Sequence, residues 1–208
     1  MPEISAALVK QLRYKTGAGM MDCKKALDEA KGDLAEAETL LRKKGIAAAD
    51  KRQSRAARQG AIGTYVHAGS QLGVMVEVNC ETDFVARTDG FQVLVHDIAM
   101  QIAAADPKYL RREDIPADVI EKEKEIARDR ARQEGKPEKI LDRIVEGRIV
   151  KFHEEVCLYD QPFIKDNSLT IDQLVKTNIS KLQENISIAR FVRFKVGEGA
   201  APTEPAAE

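Results

Sequence analysis

The sequence predicts an α+β protein, with an N-terminal three-helix domain followed by a core in which helices pack a small antiparallel sheet. Three observations carry this. Apolar residues recur at helical spacing near the start, as at Ile4, Leu8 and Leu12. Past Gly60 the period drops to two, with Val74, Val76 and Val78 on one side of a strand and Met75, Glu77 and Asn79 on the other. Helical spacing then returns at Phe91, Leu94, Val95, Ile98 and Ile102.

The first helix breaks at Gly17 and Gly19, residues that accept backbone angles others avoid. A second runs from about Met20 to Gly32 with Cys23, Leu27 and Ala30 inward. Asp33 and Glu36 have capping-box spacing ahead of a third helix bearing Leu34, Ala37, Leu40 and Leu41. Gly45 stands where a C-terminal cap belongs. Residues 42–58 are alanine-rich and basic (Arg42, Lys43, Lys44, Lys51, Arg52, Arg55, Arg58 against Asp50) and lack an apolar stripe. They read as a solvated linker helix. A nucleic-acid arm is the sharper alternative, but no aromatic is interleaved to stack on bases.

In the core, Tyr65–His67 and Leu72–Asn79 form a hairpin about Ala68–Gln71, and the chain leaves the sheet over Cys80–Val85. Asp89 with Gln92 is expected to cap the next helix, which ends at Asp106 and Pro107. Two highly charged helices follow, split by Gly135, Lys136 and Pro137. The second carries Ile140, Leu141, Ile144, Val145, Ile149 and Phe152 on one stripe. Thr170 with Gln173 caps a last helix, and Ile186–Val196 closes the fold as a strand with Ile186, Ile188, Val192, Phe194 and Val196 on one side. The expected organisation is a three-helix domain at 1–45, a basic linker at 46–59, a core at 60–197 and a disordered tail at 198–208.

Acidic and basic residues number 34 and 33, so no global charge draws the chain to nucleic acid or anionic membrane. The start lacks the charged and apolar regions of a secretory signal, and no apolar run reaches membrane-span length. Cys23, Cys80 and Cys157 are odd in number and far apart, which suits a reducing cytoplasm better than a disulfide framework.

Catalytic chemistry is thin. His67, His96 and His153 belong to no metal-ligand spacing, and there is no phosphate loop, dinucleotide fingerprint or nucleophile elbow. Cys80, near a strand end, reads as a small buried side chain. No cofactor is expected. Two features stand out. Met20 and Met21 are adjacent at a helix start, so both cannot face inward, and one is expected outside as an adaptable contact. Phe84 lies beside Asp83 just past a strand, where it either plugs the sheet–helix junction or stands free.

These residues also carry a resemblance. The stretch from Thr16 through Gly17, Ala18, Gly19, Met20, Met21, Asp22, Cys23, Lys24, Lys25 and Ala26 to Leu27 resembles the N-terminal signature of the elongation factor Ts family. Glu77 to Arg87 resembles its second signature, and Val145–Arg148, Asp160–Phe163 and Arg193–Gly199 are similar to its C-terminal half. The resemblance implies a UBA-like N-terminal domain and nucleotide exchange on elongation factor Tu, a GTPase, by a non-enzymatic mechanism that displaces Mg²⁺, releases GDP and ends in expulsion by GTP. Carried over, Arg13, Met20, Met21 and Lys24 contact the partner, and His67 is a further contact. Thr82, Asp83, Phe84 and Val85 form the segment linked to loss of Mg²⁺, with the metal belonging to the partner. A homodimer paired through its sheets, giving a two-by-two complex, is also implied, without direct nucleic-acid or membrane binding.

Overall fold

The computed structural model describes residues 4–198. Helices α1 (Ala6–Thr16), α2 (Met20–Glu29) and α3 (Leu34–Arg52) come first. Strands β1 (Gln59–Val66) and β2 (Leu72–Cys80) follow, then the single turn α4 (Asp83–Ala86) and the long helix α5 (Asp89–Ala105). Helices α6 (Ala117–Gln133) and α7 (Glu138–Val156), short strands β3 (Pro162–Phe163) and β4 (Asp166–Thr170), helix α8 (Ile171–Leu182) and strand β5 (Ile186–Lys195) complete the order. The main sheet runs β1-β2-β5, and β3 and β4 pair separately. Every strand connection in the main sheet is consistent with antiparallel pairing, as the Val196 N–H on the Gln71 carbonyl illustrates.

The described chain clusters into two compact units. One comprises residues 4–61, 78–94 and 173–189, the other 62–77, 95–172 and 190–198.

In the first unit, α1–α3 enclose Val9, Leu12, Cys23, Ala26, Leu27, Ala30 and Ala37, with Ile4, Leu8, Leu34, Leu40 and Leu41 packed against them. Truncating a buried leucine such as Leu12 or Leu27 removes about 2–5 kcal/mol in clusters of this kind. Ser5 caps α1 by accepting from the Leu8 N–H, and Gly17 (φ 70°) ends it in the left-handed region. The Asp33 carboxylate accepts from the Ala35 and Glu36 N–H groups at 2.8 and 2.9 Å, so the expected cap is present.

The stop expected at Gly45 is absent. Helix α3 passes through it and ends only at Arg52, because nothing there imposes a left-handed residue and tertiary partners support the added turns. Ala49 is buried, Asp50 pairs with Lys176 at 3.0 Å, and Arg52 bonds Gln183. Lys44 pairs with Glu29 and Arg55 with Glu81. Several cations of the basic stretch are therefore engaged within the protein. The cap of α5 also differs from expectation: the Thr88 hydroxyl, not Asp89, accepts from the Phe91 N–H, while Gln92 donates to the Ala86 carbonyl at 2.7 Å. Asp89 stands in the first turn, where a negative charge suits the helix dipole.

In the second unit, α6 and α7 form an antiparallel helical hairpin tied by Arg128–Asp142 and Arg132–Glu138. Of the expected α7 stripe, Leu141 and Val145 are buried, whereas Ile140 is exposed near the helix start. Gln101 and Gln161 are buried and satisfy each other at 3.1 Å, with further bonds to backbone groups.

Strand β5 departs from the single apolar face expected of it. Ile186 and Ile188 are buried, but Arg190, Val192 and Phe194 face solvent while Phe191 and Arg193 are partly covered. The inward parity changes between Ile188 and Arg190, which sets Arg190 on the outward side, where its Nε bonds Glu77 at 2.7 Å. Of the tail expected at 198–208, residues 199–208 lie outside the described residues.

Gly60 (φ 152°) lies so close to β2 that an added Cβ would stand 2.2 Å from the Val78 carbonyl oxygen. Backbone cannot yield as a side-chain end can. Gly60→Ala is expected to lower the unfolding free energy by roughly 1–3 kcal/mol. Urea titration measures this, and an unchanged midpoint would show that the strand end can shift.

Candidate functional site

Where β2 ends, its backbone donors lose their sheet partners and find a carboxylate instead. The Glu81 and Thr82 N–H groups donate to Glu184 Oε2 at 3.1 and 3.0 Å, and the Thr82 hydroxyl donates to Oε1 at 2.6 Å. The same hydroxyl oxygen accepts from the Val85 N–H and so caps α4. Cys80 Sγ donates to the Thr82 carbonyl at 3.1 Å. On the far side, the Thr88 hydroxyl donates to the Val85 carbonyl at 2.8 Å, and Gln92 takes the Ala86 carbonyl. Ala86 is buried.

Within this fixed turn one side chain is bare. Phe84 is 78% exposed, so it does not plug the junction. An exposed aromatic on a turn held at both ends is free to meet another surface. Asp83 pairs with Arg87 at 2.7 Å, and both are substantially exposed. The pair therefore holds charge at the surface but adds little stability. Thr82 and Val85 are half-buried, consistent with roles in the turn's framework.

Arg13, Met20, Met21 and Lys24 are all exposed on α1 and α2. The two methionines both face out, at 42% and 65%. One was expected outside; both are, because Cys23, Ala26 and Leu27 already fill the inward side of α2. Tyr14, beside Arg13 and 96% exposed, was not singled out by sequence: no periodic pattern marks a lone exposed aromatic.

His67 belongs to the second unit, at the hairpin turn. It is exposed, its Nδ1 lies 3.0 Å from the Tyr65 hydroxyl, and Tyr65 also meets His96 edge-on.

The cysteines are buried and free. Burial, and then the Glu184 carboxylate, push the Cys80 thiol up; burial, and then Asp160, push Cys157 up to about 11. Both thiols stay protonated at neutral pH, the wrong state for a nucleophile. His153, a residue of the second unit, is lowered chiefly by burial. Among the described residues no three His, Cys, Asp or Glu side chains cluster to hold a metal, and no helix is long and apolar enough to cross a membrane.

Sequence reasoning also missed Glu184. It lies 102 residues from Thr82, and no local pattern links them.

A helical face with exposed methionines and a braced turn that offers a bare phenyl ring are surfaces suited to contact with another protein, as in a protein-binding factor. The family model for elongation factor TS matches residues 34–198, more than half the chain. The chain is 68% identical to elongation factor Ts of Solibacter usitatus (strain Ellin6076), covering the whole of both. It is 58% identical to that of Anaeromyxobacter sp. (strain Fw109-5), over 96% of this chain and 91% of the relative. Against that of Heliobacterium modesticaldum (strain ATCC 51547 / Ice1) it is 57% identical over 95% and 92%. The chain belongs to the elongation factor Ts family. Its function is nucleotide exchange on elongation factor Tu during translation elongation.

Proposed function

We propose that exchange proceeds by contact alone, without a chemical step, through two surfaces of the first unit. The segment 1–45 docks, using Arg13, Met20, Met21 and Lys24. The turn Thr82–Val85 then inserts the Phe84 ring into an apolar gap of the GDP-bound GTPase. His67 adds a contact from the second unit. The observation that carries this reading is the bare Phe84 ring on a backbone braced from both sides.

The physics follows. Mg²⁺ bridges nucleotide phosphates and the GTPase's own ligands, so moving the elements that hold it weakens nucleotide binding. A ring occupying an apolar gap can supply that movement. Asp83 acts at the contact by hydrogen bonding or charge, with Mg²⁺ remaining the partner's ion. Coupling between ligands is reciprocal, so a factor that weakens GDP binding is itself weakened by nucleotide, and incoming GTP expels it. The chain works in the cytoplasm, binding neither nucleic acid nor membrane directly. The engagement of Lys44, Arg52 and Arg55 within the protein weighs against a nucleic-acid arm at 42–58.

A homodimer with a two-by-two complex is supported by a separate observation. The outward sheet face of the second unit shows Ile62, Val66, Met75, Val192 and Phe194, a contiguous apolar surface of the kind that a second copy would cover.

Three outcomes are expected. Phe84→Ala slows release of fluorescent GDP from elongation factor Tu at least about tenfold, the scale of a lost buried aromatic contact, with a melting temperature within about 2 °C of the parent. A loss of several kcal/mol in stability would restore the plug. Met21→Ala, with its side chain outside the core, raises the half-saturating concentration of the factor about three- to thirtyfold while leaving the maximal release rate in place. An unaltered half-saturation would remove α2 from the docking surface. Phe194→Glu yields monomers in sedimentation equilibrium where the parent is dimeric, and a parent that sediments as a monomer would end the homodimer reading.

A further inference from the structure

We propose that Glu184 is a positioning residue for exchange: its carboxylate fixes the Thr82–Val85 turn so that the Phe84 ring meets the partner already oriented. The inference rests on the reading of Phe84 as the inserted ring and adds the group that holds it.

Three donors converge on this one carboxylate. Two are consecutive backbone N–H groups on Oε2, and the third is the Thr82 hydroxyl on Oε1. Hydrogen bonds to an ionised acceptor are about twice as strong as neutral ones. The Thr82 hydroxyl has one proton, and spending it on Glu184 leaves its lone pairs for the Val85 N–H. The order Val85 N–H to Thr82 Oγ1 to Glu184 is thus a directed chain, and its far end is the residue next to Phe84. The other charged groups near the turn do less. Asp83 and Arg87 form an exposed pair, and Arg55 pairs with Glu81 from a half-exposed position.

Glu184 is itself placed by its neighbour. Asn185 is buried, its N–H donates to Glu81 Oε1 at 2.6 Å, and its side-chain amide donates to the carbonyls of Gln53 and Arg55. The two acidic residues therefore exchange bonds: Glu184 holds the backbone of 81–82, and Glu81 holds the backbone of 185. Chain following α3 is fastened to the same cluster. Ordering the turn beforehand removes that entropy cost from the later step in which the ring inserts, after α1 and α2 have docked. The effect belongs in the rate of nucleotide release, not in docking through α1 and α2.

The test uses the full chain and elongation factor Tu loaded with fluorescent GDP. Glu184→Ala is expected to lower the maximal release rate about tenfold, the worth of a hydrogen bond to a charged group, with half-saturation shifted less than about twofold. Glu184→Gln, which keeps the shape and one good acceptor, falls between. If Glu184→Ala loses its cooperative melt, Glu184→Gln carries the comparison. Added to Phe84→Ala, either change should slow release no further, because both act through one ring. In the free protein, the Glu81 and Thr82 amides of the variant exchange hydrogen faster while those of α1 and α2 do not change. Full-rate release by both Glu184 variants, with Phe84→Ala slow, would overturn the proposal and spare the function. Effects that multiply in the double variant would overturn it too. Full-rate release by Phe84→Ala removes the inserted-ring reading and this inference with it.

Discussion

Three donors at the end of β2 meet one carboxylate, and the arrangement of the site depends on that meeting. Strand geometry supplies each interior N–H with an acceptor, but at Glu81 and Thr82 the ladder stops before the next helix begins. Unpaired, such groups would each cost about 1–3 kcal/mol when buried. Glu184 satisfies them together and frees Thr82 to cap a helix of only four residues. A helix so short cannot sustain itself. Its shape is imposed by the contacts at its two ends, and a bare aromatic can therefore be displayed on it without a supporting core of its own.

The same economy governs the helical part of the first unit. Small residues, Cys23, Ala26, Ala30 and Ala37, let α1–α3 approach closely around Leu12 and Leu27. Close approach leaves no room for large side chains from the opposite face of α2, and Met20 and Met21 remain outside. A flexible, polarizable side chain on the surface can adapt to a partner's contours. On the proposed reading, packing and recognition are two sides of one short helix.

Nothing in the thiol or histidine chemistry competes with this picture. Burial holds Cys80 and Cys157 protonated and disfavours charge on His153. Exchange by contact, as proposed above, would need no proton transfer, only an interaction stronger with the GTPase whose nucleotide is leaving than with the loaded one.

Local pattern in the sequence was enough for the hairpin, the Asp33 cap, the break at Gly135 and the outward placement of Met75, since each depends on residues within a few positions of one another. Signature residues around Met20 and Phe84 were legible for the same reason. Tertiary structure decided what depends on distant partners. Helix α3 runs past Gly45 because Asp50 and Arg52 find Lys176 and Gln183 from α8 and the turn after it. Thr88 caps α5 in place of Asp89, and β5 changes parity after Ile188. Whether Phe84 was buried or free could not be read from its neighbours in sequence, because the answer lies in what fills the space around it. Glu184 was invisible for a simpler reason: a carboxylate 102 residues away has no periodic relation to the turn it holds, and only the folded chain brings the two within 3 Å.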